Sequence, residues 1–164
     1  MNSIVIFFSS PHKNGFTAQL VNSYVDGCAA DKIAVYDLYE TNPKPCTDCG
    51  ACKRVEGCAF SDLDGMMSAF EQADEVVFAF PVYNYSVPAP MKALLDRFQR
   101  YYNARFSLGK KPAVAKRRKA TVLVTCGREW KDAESVVMLQ LTRGFSILNL
   151  ESPTVKFIEN TDKN

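Results

Sequence analysis

Ser3-Ile4-Val5-Ile6-Phe7-Phe8, followed by Ser9-Ser10-Pro11-His12-Lys13-Asn14-Gly15-Phe16-Thr17, is the stretch from which the fold is read. The apolar run is short and is closed by turn residues, the pattern of a strand buried on both faces. Beyond the turn, Leu20, Val21, Tyr24, Val25 and Cys28 recur at the spacing of one helix face. Ser9 to Thr17 therefore joins a buried strand to a helix N-terminus. Such a terminus presents unpaired N–H groups and partial positive charge, so a phosphate is its natural guest. The loop contains neither the Gly-Lys-Ser/Thr of a Walker A loop nor a Gly-x-Gly-x-x-Gly dinucleotide pattern. Its hydroxyls suit a terminal monophosphate. The same residues also suit an ordinary polar turn capped by Asn14.

Outward from this unit the chain keeps alternating. Lys32 to Leu38 reads as a second strand, and Thr41 to Phe60 as an irregular, cysteine-bearing segment interrupted by Pro43 and Pro45. Ser61 and Asp64 have the spacing of a capping box, ahead of a core stripe of Leu63, Met66, Met67 and Phe70. Glu75 to Phe80 is a third strand. Pro88 and Pro90 open a helix whose buried face is Met91, Leu94, Leu95, Phe98 and Tyr102. The basic connector Lys110, Lys111, Lys116, Arg117, Arg118 and Lys119 lacks interleaved aromatics and reads as solvated, not as a nucleic-acid surface. Ala120 to Thr125 is the fourth strand, Asp132 to Leu148 a fourth helix and Pro153 to Ile158 the fifth strand.

Five strands alternating with four helices imply an α/β fold, a single domain with an open, doubly wound parallel sheet. Ligands of such sheets sit at the strand carboxyl ends, where strand order reverses. Three loops meet there: Ser9–Thr17, suited to phosphate; Pro81–Val87, suited to a flat heterocycle; and Thr125–Trp130, where Gly127 permits close backbone approach. A phosphate and a planar ring at one switch point amount to a mononucleotide, of which FMN is the commonest.

Bulk properties agree. Hydrophobic residues make up 47% and charged residues 23%, so the chain is globular and not disordered. A net charge of +2 indicates no polyanionic partner. No basic, apolar leader or membrane-length run is present, and six cysteines, four of them between positions 46 and 58, suit a reducing compartment; a cytoplasmic protein without membrane attachment is expected. Only Glu159 to Asn164 follow the fifth strand, too few for a fifth helix. One face of strands three to five is then expected to lie bare and to be covered in a homo-oligomer, most simply a two-fold dimer.

Three motifs resemble those of the NAD(P)H-dependent FMN reductases and iron–sulfur flavoproteins, which have a flavodoxin-like fold. Ser10-Pro11-His12-Lys13-Asn14-Gly15-Phe16-Thr17 is similar to their phosphate loop. Phe80-Pro81-Val82-Tyr83 with Pro90-Met91-Lys92-Ala93-Leu94-Leu95-Asp96-Arg97 resembles their flavin-ring loop and following helix. Pro45-Cys46-Thr47-Asp48-Cys49-Gly50-Ala51-Cys52 with Gly57-Cys58 resembles their compact cysteine motif. The resemblance covers roughly residues 3 to 100. It implies that Ser10, His12, Asn14, Phe16 and Thr17 surround an FMN phosphate and that Pro81, Val82, Tyr83, Asn84 and Ser86 line the isoalloxazine. Ser9 and Gly15 complete the first loop, and Thr125 and Gly127 contribute from the third. Ser9 stands where the family often has Gly, His12 where it has Arg and Phe16 where it has Asn, so the phosphate's counter-charge becomes titratable.

Cys46-x2-Cys49-x2-Cys52-x5-Cys58 places four thiols in thirteen residues. A [4Fe-4S] cluster, zinc, reduced thiols and a disulfide pair all remain compatible with it. The expected activity is electron transfer from NAD(P)H through FMN to a small-molecule or protein acceptor, with no side chain needed as acid or base. The alternatives are an electron-transfer module relaying between flavin and cluster, and a zinc-stabilised binding domain without flavin.

Overall fold

The structure, a computed structural model, describes residues 2–163. The strands β1 (Ser3–Phe8), β2 (Lys32–Asp37), β3 (Glu75–Pro81), β4 (Lys119–Thr125) and β5 (Thr154–Ile158) form one parallel sheet in the order β2-β1-β3-β4-β5. The helices are α1 (Phe16–Gly27), α2 (Leu38–Thr41), α3 (Asp64–Gln72), α4 (Ala89–Arg97), α5 (Gln99–Phe106) and α6 (Ala133–Thr142), with single 3₁₀ turns at Ala51–Lys53 and Thr161–Lys163. Strand order reverses between β1 and β3, which makes the carboxyl ends of those strands the switch point.

Alternation along β1 divides the core in two. Ile4, Ile6 and Phe8 pack with Leu20 and Val21 of α1 and with Val77, Ala79 and Leu123. Val5 and Phe7 point the other way, into the larger core built on α3, α4, α5 and α6. Phe7 meets Phe70 and Phe78 at centroid separations of 5.9 and 5.6 Å, inside the range of favourable aromatic pairs.

Several expectations are corrected. β2 ends at Asp37, because its carboxylate accepts from the N–H groups of Tyr39 and Glu40 and so starts α2 at Leu38. No capping box forms at Ser61; Leu63 occupies the N-cap of α3 without a side-chain bond. The helix after Pro88 breaks at Phe98 into α4 and α5, and the break shifts the helical phase by one residue. Tyr101 is therefore buried and Tyr102 is 44% exposed, the reverse of the predicted stripe. The fourth helix stops at Thr142, well short of Leu148. The connector is not uniformly solvated: Arg118 is 1% exposed, its guanidinium donates to the carbonyls of Phe70 and Leu148, and it lies 4.3 Å from the Phe70 ring centroid. Burial pushes Arg118 down to about 10, which leaves it protonated near neutrality.

The bare apolar face expected beside α1 is also absent as drawn. Val77, Ala79 and Leu123 are covered, and on that side β5 presents Thr154 and Lys156, with Ile158 as the apolar exception. Among the described residues no helix is long and apolar enough to cross a membrane.

Candidate functional site

A crevice of about 410 Å³ opens at the switch point, within the range of small-molecule sites. Ser10, His12, Gly15, Phe16 and Thr17 line it from the first loop, Pro81, Val82 and Tyr83 from the second, and Thr125 and Gly127 from the third. The loops are tied to one another. The Thr17 and Thr125 hydroxyl oxygens lie 2.7 Å apart, both buried, and Val82 N–H donates to Thr125 O at 2.8 Å.

The first loop is shaped by its own backbone. His12 N–H donates to Ser10 Oγ at 3.2 Å and Gly15 N–H to His12 O at 3.2 Å. A Cβ on Gly15 would stand 2.9 Å from the His12 Cβ, so glycine is required here for space. Gly15 is the N-cap of α1 and supplies no side-chain cap, and the first intrahelical bond runs from Gln19 N–H to Gly15 O. The N–H groups of Phe16, Thr17 and Ala18 precede that bond, the arrangement that favours an anion. Lys13 does not serve this end. Its ammonium pairs with Asp37 and lies 3.7 Å from Glu40, at the start of α2. Among the described residues of the lining, His12 is the one basic side chain.

The second loop turns tightly. Tyr83 and Ser86 exchange both backbone bonds, at 3.0 and 2.9 Å, around Asn84 and Tyr85 with φ of 47° and 61°. Positive φ at both central residues is the type I′ pattern. This turn carries Asn84 and Tyr85 away from the crevice, and Ser86 Oγ donates to Gln140 of α6 at 2.9 Å. Tyr83 remains in the wall, where burial pushes its phenol above the ordinary value.

Four of the residues expected at the cofactor stand outside the crevice lining: Ser9, Asn14, Asn84 and Ser86. Ser9 is fully buried behind it, its hydroxyl without a partner. Asn14 is exposed. Conversely, Thr161 and Asp162 line the crevice and were not foreseen. They follow β5, which is parallel to β4, so the segment after β5 emerges beside the third loop. No local motif marks them.

The cysteine segment forms a second recess, of about 20 Å³, against the start of α5. Cys46, Cys49, Cys52 and Cys58 all line it, with Arg97 and Arg100 in the wall. Its base is clamped by Arg97, which donates to Lys44 O at 3.0 Å and Phe60 O at 2.9 Å and pairs with Asp62 at 2.9 Å. Burial alone would raise Asp62, but the Lys44 N–H and the Arg97 guanidinium outweigh it and hold the carboxyl below its usual range. Asn103 Nδ2 donates to Cys52 Sγ at 3.1 Å. Among the described residues no three His, Cys, Asp or Glu side chains are arranged to hold a metal ion. The donor set has the chemistry of a thiolate site, and its four thiols are not gathered around one point with the loop as it stands.

Comparison with known proteins places this architecture. The family model for the flavodoxin-like fold matches residues 1–161, and the chain belongs to that family. Over 91 residues it is 31% identical to an iron-sulfur flavoprotein of Methanocaldococcus jannaschii, covering 54% of this chain and 47% of that protein. Over 73 residues it is 33% identical to an FMN-dependent NADH:quinone oxidoreductase of Stenotrophomonas maltophilia, covering 44% of this chain and 35% of that protein. The matched part spans half or less of these relatives. An NAD(P)H:quinone oxidoreductase from Methanothermobacter marburgensis has the same fold, with a TM-score of 0.74 at 19% identity over 96% of this chain and 83% of that one.

Proposed function

We propose that the protein is an FMN-dependent NAD(P)H oxidoreductase that passes electrons from a nicotinamide to an acceptor of the quinone class. One observation carries this reading: three strand-end loops of different chemistry meet at a single crevice whose wall includes an uncapped helix N-terminus. The names of relatives on both the reductase and the iron-sulfur side agree with a flavin.

FMN held there would supply hydride acceptance and onward electron transfer. The chain's part is binding and placement. Ser10, Thr17 and the first N–H groups of α1 would hold the phosphate, with His12 beside them. Pro81, Val82 and Tyr83, with Thr125 and Gly127 beside them, would form the wall for a flat ring. The hydroxyl contact between Thr17 and Thr125 ties the first loop to the third. No side chain is assigned a proton-transfer role.

The decisive experiment is an absorption spectrum of anaerobically purified protein and a fluorescence titration with FMN, followed by NADH and NADPH oxidation with a soluble quinone. Micromolar or tighter FMN binding with quinone-dependent oxidation is expected. Failure to bind FMN at 100 µM sinks the reading.

A second reading, an iron–sulfur flavoprotein relaying electrons between flavin and a [4Fe-4S] cluster, is favoured by the convergence of four thiols on one recess with two arginines in its wall. Cys46, Cys49, Cys52 and Cys58 would be the ligands, and the loop would have to open around the cluster. Iron, sulfide and zinc assays on the same anaerobic sample separate the cases: iron with sulfide supports the relay, stoichiometric zinc a structural clip, and neither leaves the plain reductase.

A further inference from the structure

Asp162 is the one carboxylate among the described residues of the crevice lining, and several contacts put it there. The segment after β5 is laced to the third loop. Cys126 N–H donates to Ile158 O at 2.8 Å, Thr161 N–H to Cys126 O at 3.1 Å and Asp162 N–H to Gly127 O at 3.0 Å. Side chains complete the lacing: Glu129 N–H donates to Asn160 Oδ1 and Trp130 N–H to Glu159 Oε1, each at 3.3 Å. Asp162 therefore leaves a backbone pinned to the third loop. Its carboxylate lies directly on Gly127, whose φ is not in the left-handed region; any Cβ at Gly127 would collide with Asp162 Oδ1, Cγ and Oδ2. Gly127 is glycine to make room for this side chain. Among the described residues Asp162 takes part in no ion pair.

We propose that Asp162 is a cofactor-facing residue that lowers the reduction potential of the bound flavin, by holding a fixed negative charge at the third-loop end of the crevice. This rests on the FMN reading above. Hydride uptake from a reduced nicotinamide adds two electrons and one proton to the ring system, a net gain of one negative charge at neutral pH. Asp162 is itself exposed, so the repulsion would act once the bound ring covers the crevice and excludes water between the two charges. It therefore weakens binding of the reduced cofactor relative to the oxidised one, and the potential falls by linkage. The phosphate charge is common to both redox states and cancels from the ratio, so the ratio reports on the ring alone.

The test uses the parent, Asp162→Asn and Asp162→Lys, each loaded with FMN. Dissociation constants are measured for oxidised FMN and for anaerobically reduced FMN, and the two-electron midpoint is measured by dye equilibration. Asp162→Asn is expected to raise the reduced-to-oxidised affinity ratio at least 10-fold, equivalent to a rise of about 30 mV, and Asp162→Lys to raise it further. Unchanged ratios in both variants overturn the proposal. So does an equal tightening of both redox states, which would set the carboxylate against the phosphate instead. If the parent binds FMN and reduces its acceptor while the ratio stays fixed, only the role of Asp162 falls. If the parent binds no FMN, the flavin reading falls with it.

Discussion

At the scale of single residues, Thr17 shows how one side chain serves both the fold and the site. Its hydroxyl shares a hydrogen bond with Thr125, and both side chains are buried. Thr17→Val keeps the shape but leaves the Thr125 hydroxyl unpaired, at an expected cost of about 1–3 kcal/mol. Adding Thr125→Val should recover most of this, because removing both partners together is close to neutral. Urea unfolding of the two single variants and the double variant checks it, and additive losses would show that the pair is not coupled. Arg118 gives a second residue-scale expectation. Arg118→Met strips the donors from two buried carbonyls at Phe70 and Leu148, and a loss of about 2–5 kcal/mol is expected in the same assay. A change below 0.5 kcal/mol would mean that water replaces the guanidinium.

These residues also mark what was legible in the chain. The apolar runs of β1, β3 and β4 were read correctly, because their signals are local and periodic. Arg118 was misread as solvated because nothing in a run of Lys and Arg shows which one turns inward to meet the buried carbonyls of Phe70 and Leu148. Tyr101 and Tyr102 exchanged places through a one-residue phase shift at Phe98, and periodicity assumes an unbroken helix. Asp162 was invisible for another reason. It reaches the crevice only because β5 lies beside β4, a pairing distant in sequence.

At the scale of elements, the cysteine loop behaves as a clamped unit. Residues 44 to 62 leave and rejoin the body at one guanidinium, since Arg97 holds Lys44 O, Phe60 O and the Asp62 carboxylate together. The Asp62 carboxyl is held below its usual range, so the folded state binds its proton less readily than the unfolded chain does. Its stabilising contribution is then fully present above the unfolded value, about 3.9, and is lost as pH falls through the lower folded value. Asp62→Asn should lower stability near pH 7 and flatten the acid limb of the stability profile. Thermal unfolding between pH 2.5 and 7 would show it; an acid limb identical to the parent's would remove Asp62 from the clamp. Arg97→Met strands a carboxylate and two carbonyls, and should make Cys46, Cys49, Cys52 and Cys58 alkylate faster than in the parent.

At the scale of the whole molecule, the sheet brings together loops that are far apart in the chain. The crevice walls begin at the ends of β1, β3 and β4, and the segment after β5 closes the third loop. A ligand bridging these walls ties four of the five strands at their carboxyl ends, so its binding energy should appear as global stability and not as local ordering. For a ligand at 100 times its dissociation constant the gain is about 2.7 kcal/mol. In a domain of this size that corresponds to a rise in Tm of about 5–10 °C. FMN is expected to produce this rise and riboflavin a smaller one, because the ring walls remain while the contacts at the start of α1 are lost. Equal shifts with the two ligands would argue that the helix N-terminus holds no phosphate. A shift with inorganic phosphate but none with FMN would place an anion at α1 without a ring beside it. Differential scanning calorimetry at several ligand concentrations distinguishes these outcomes, since a true ligand moves Tm with the logarithm of its free concentration once the site is filled.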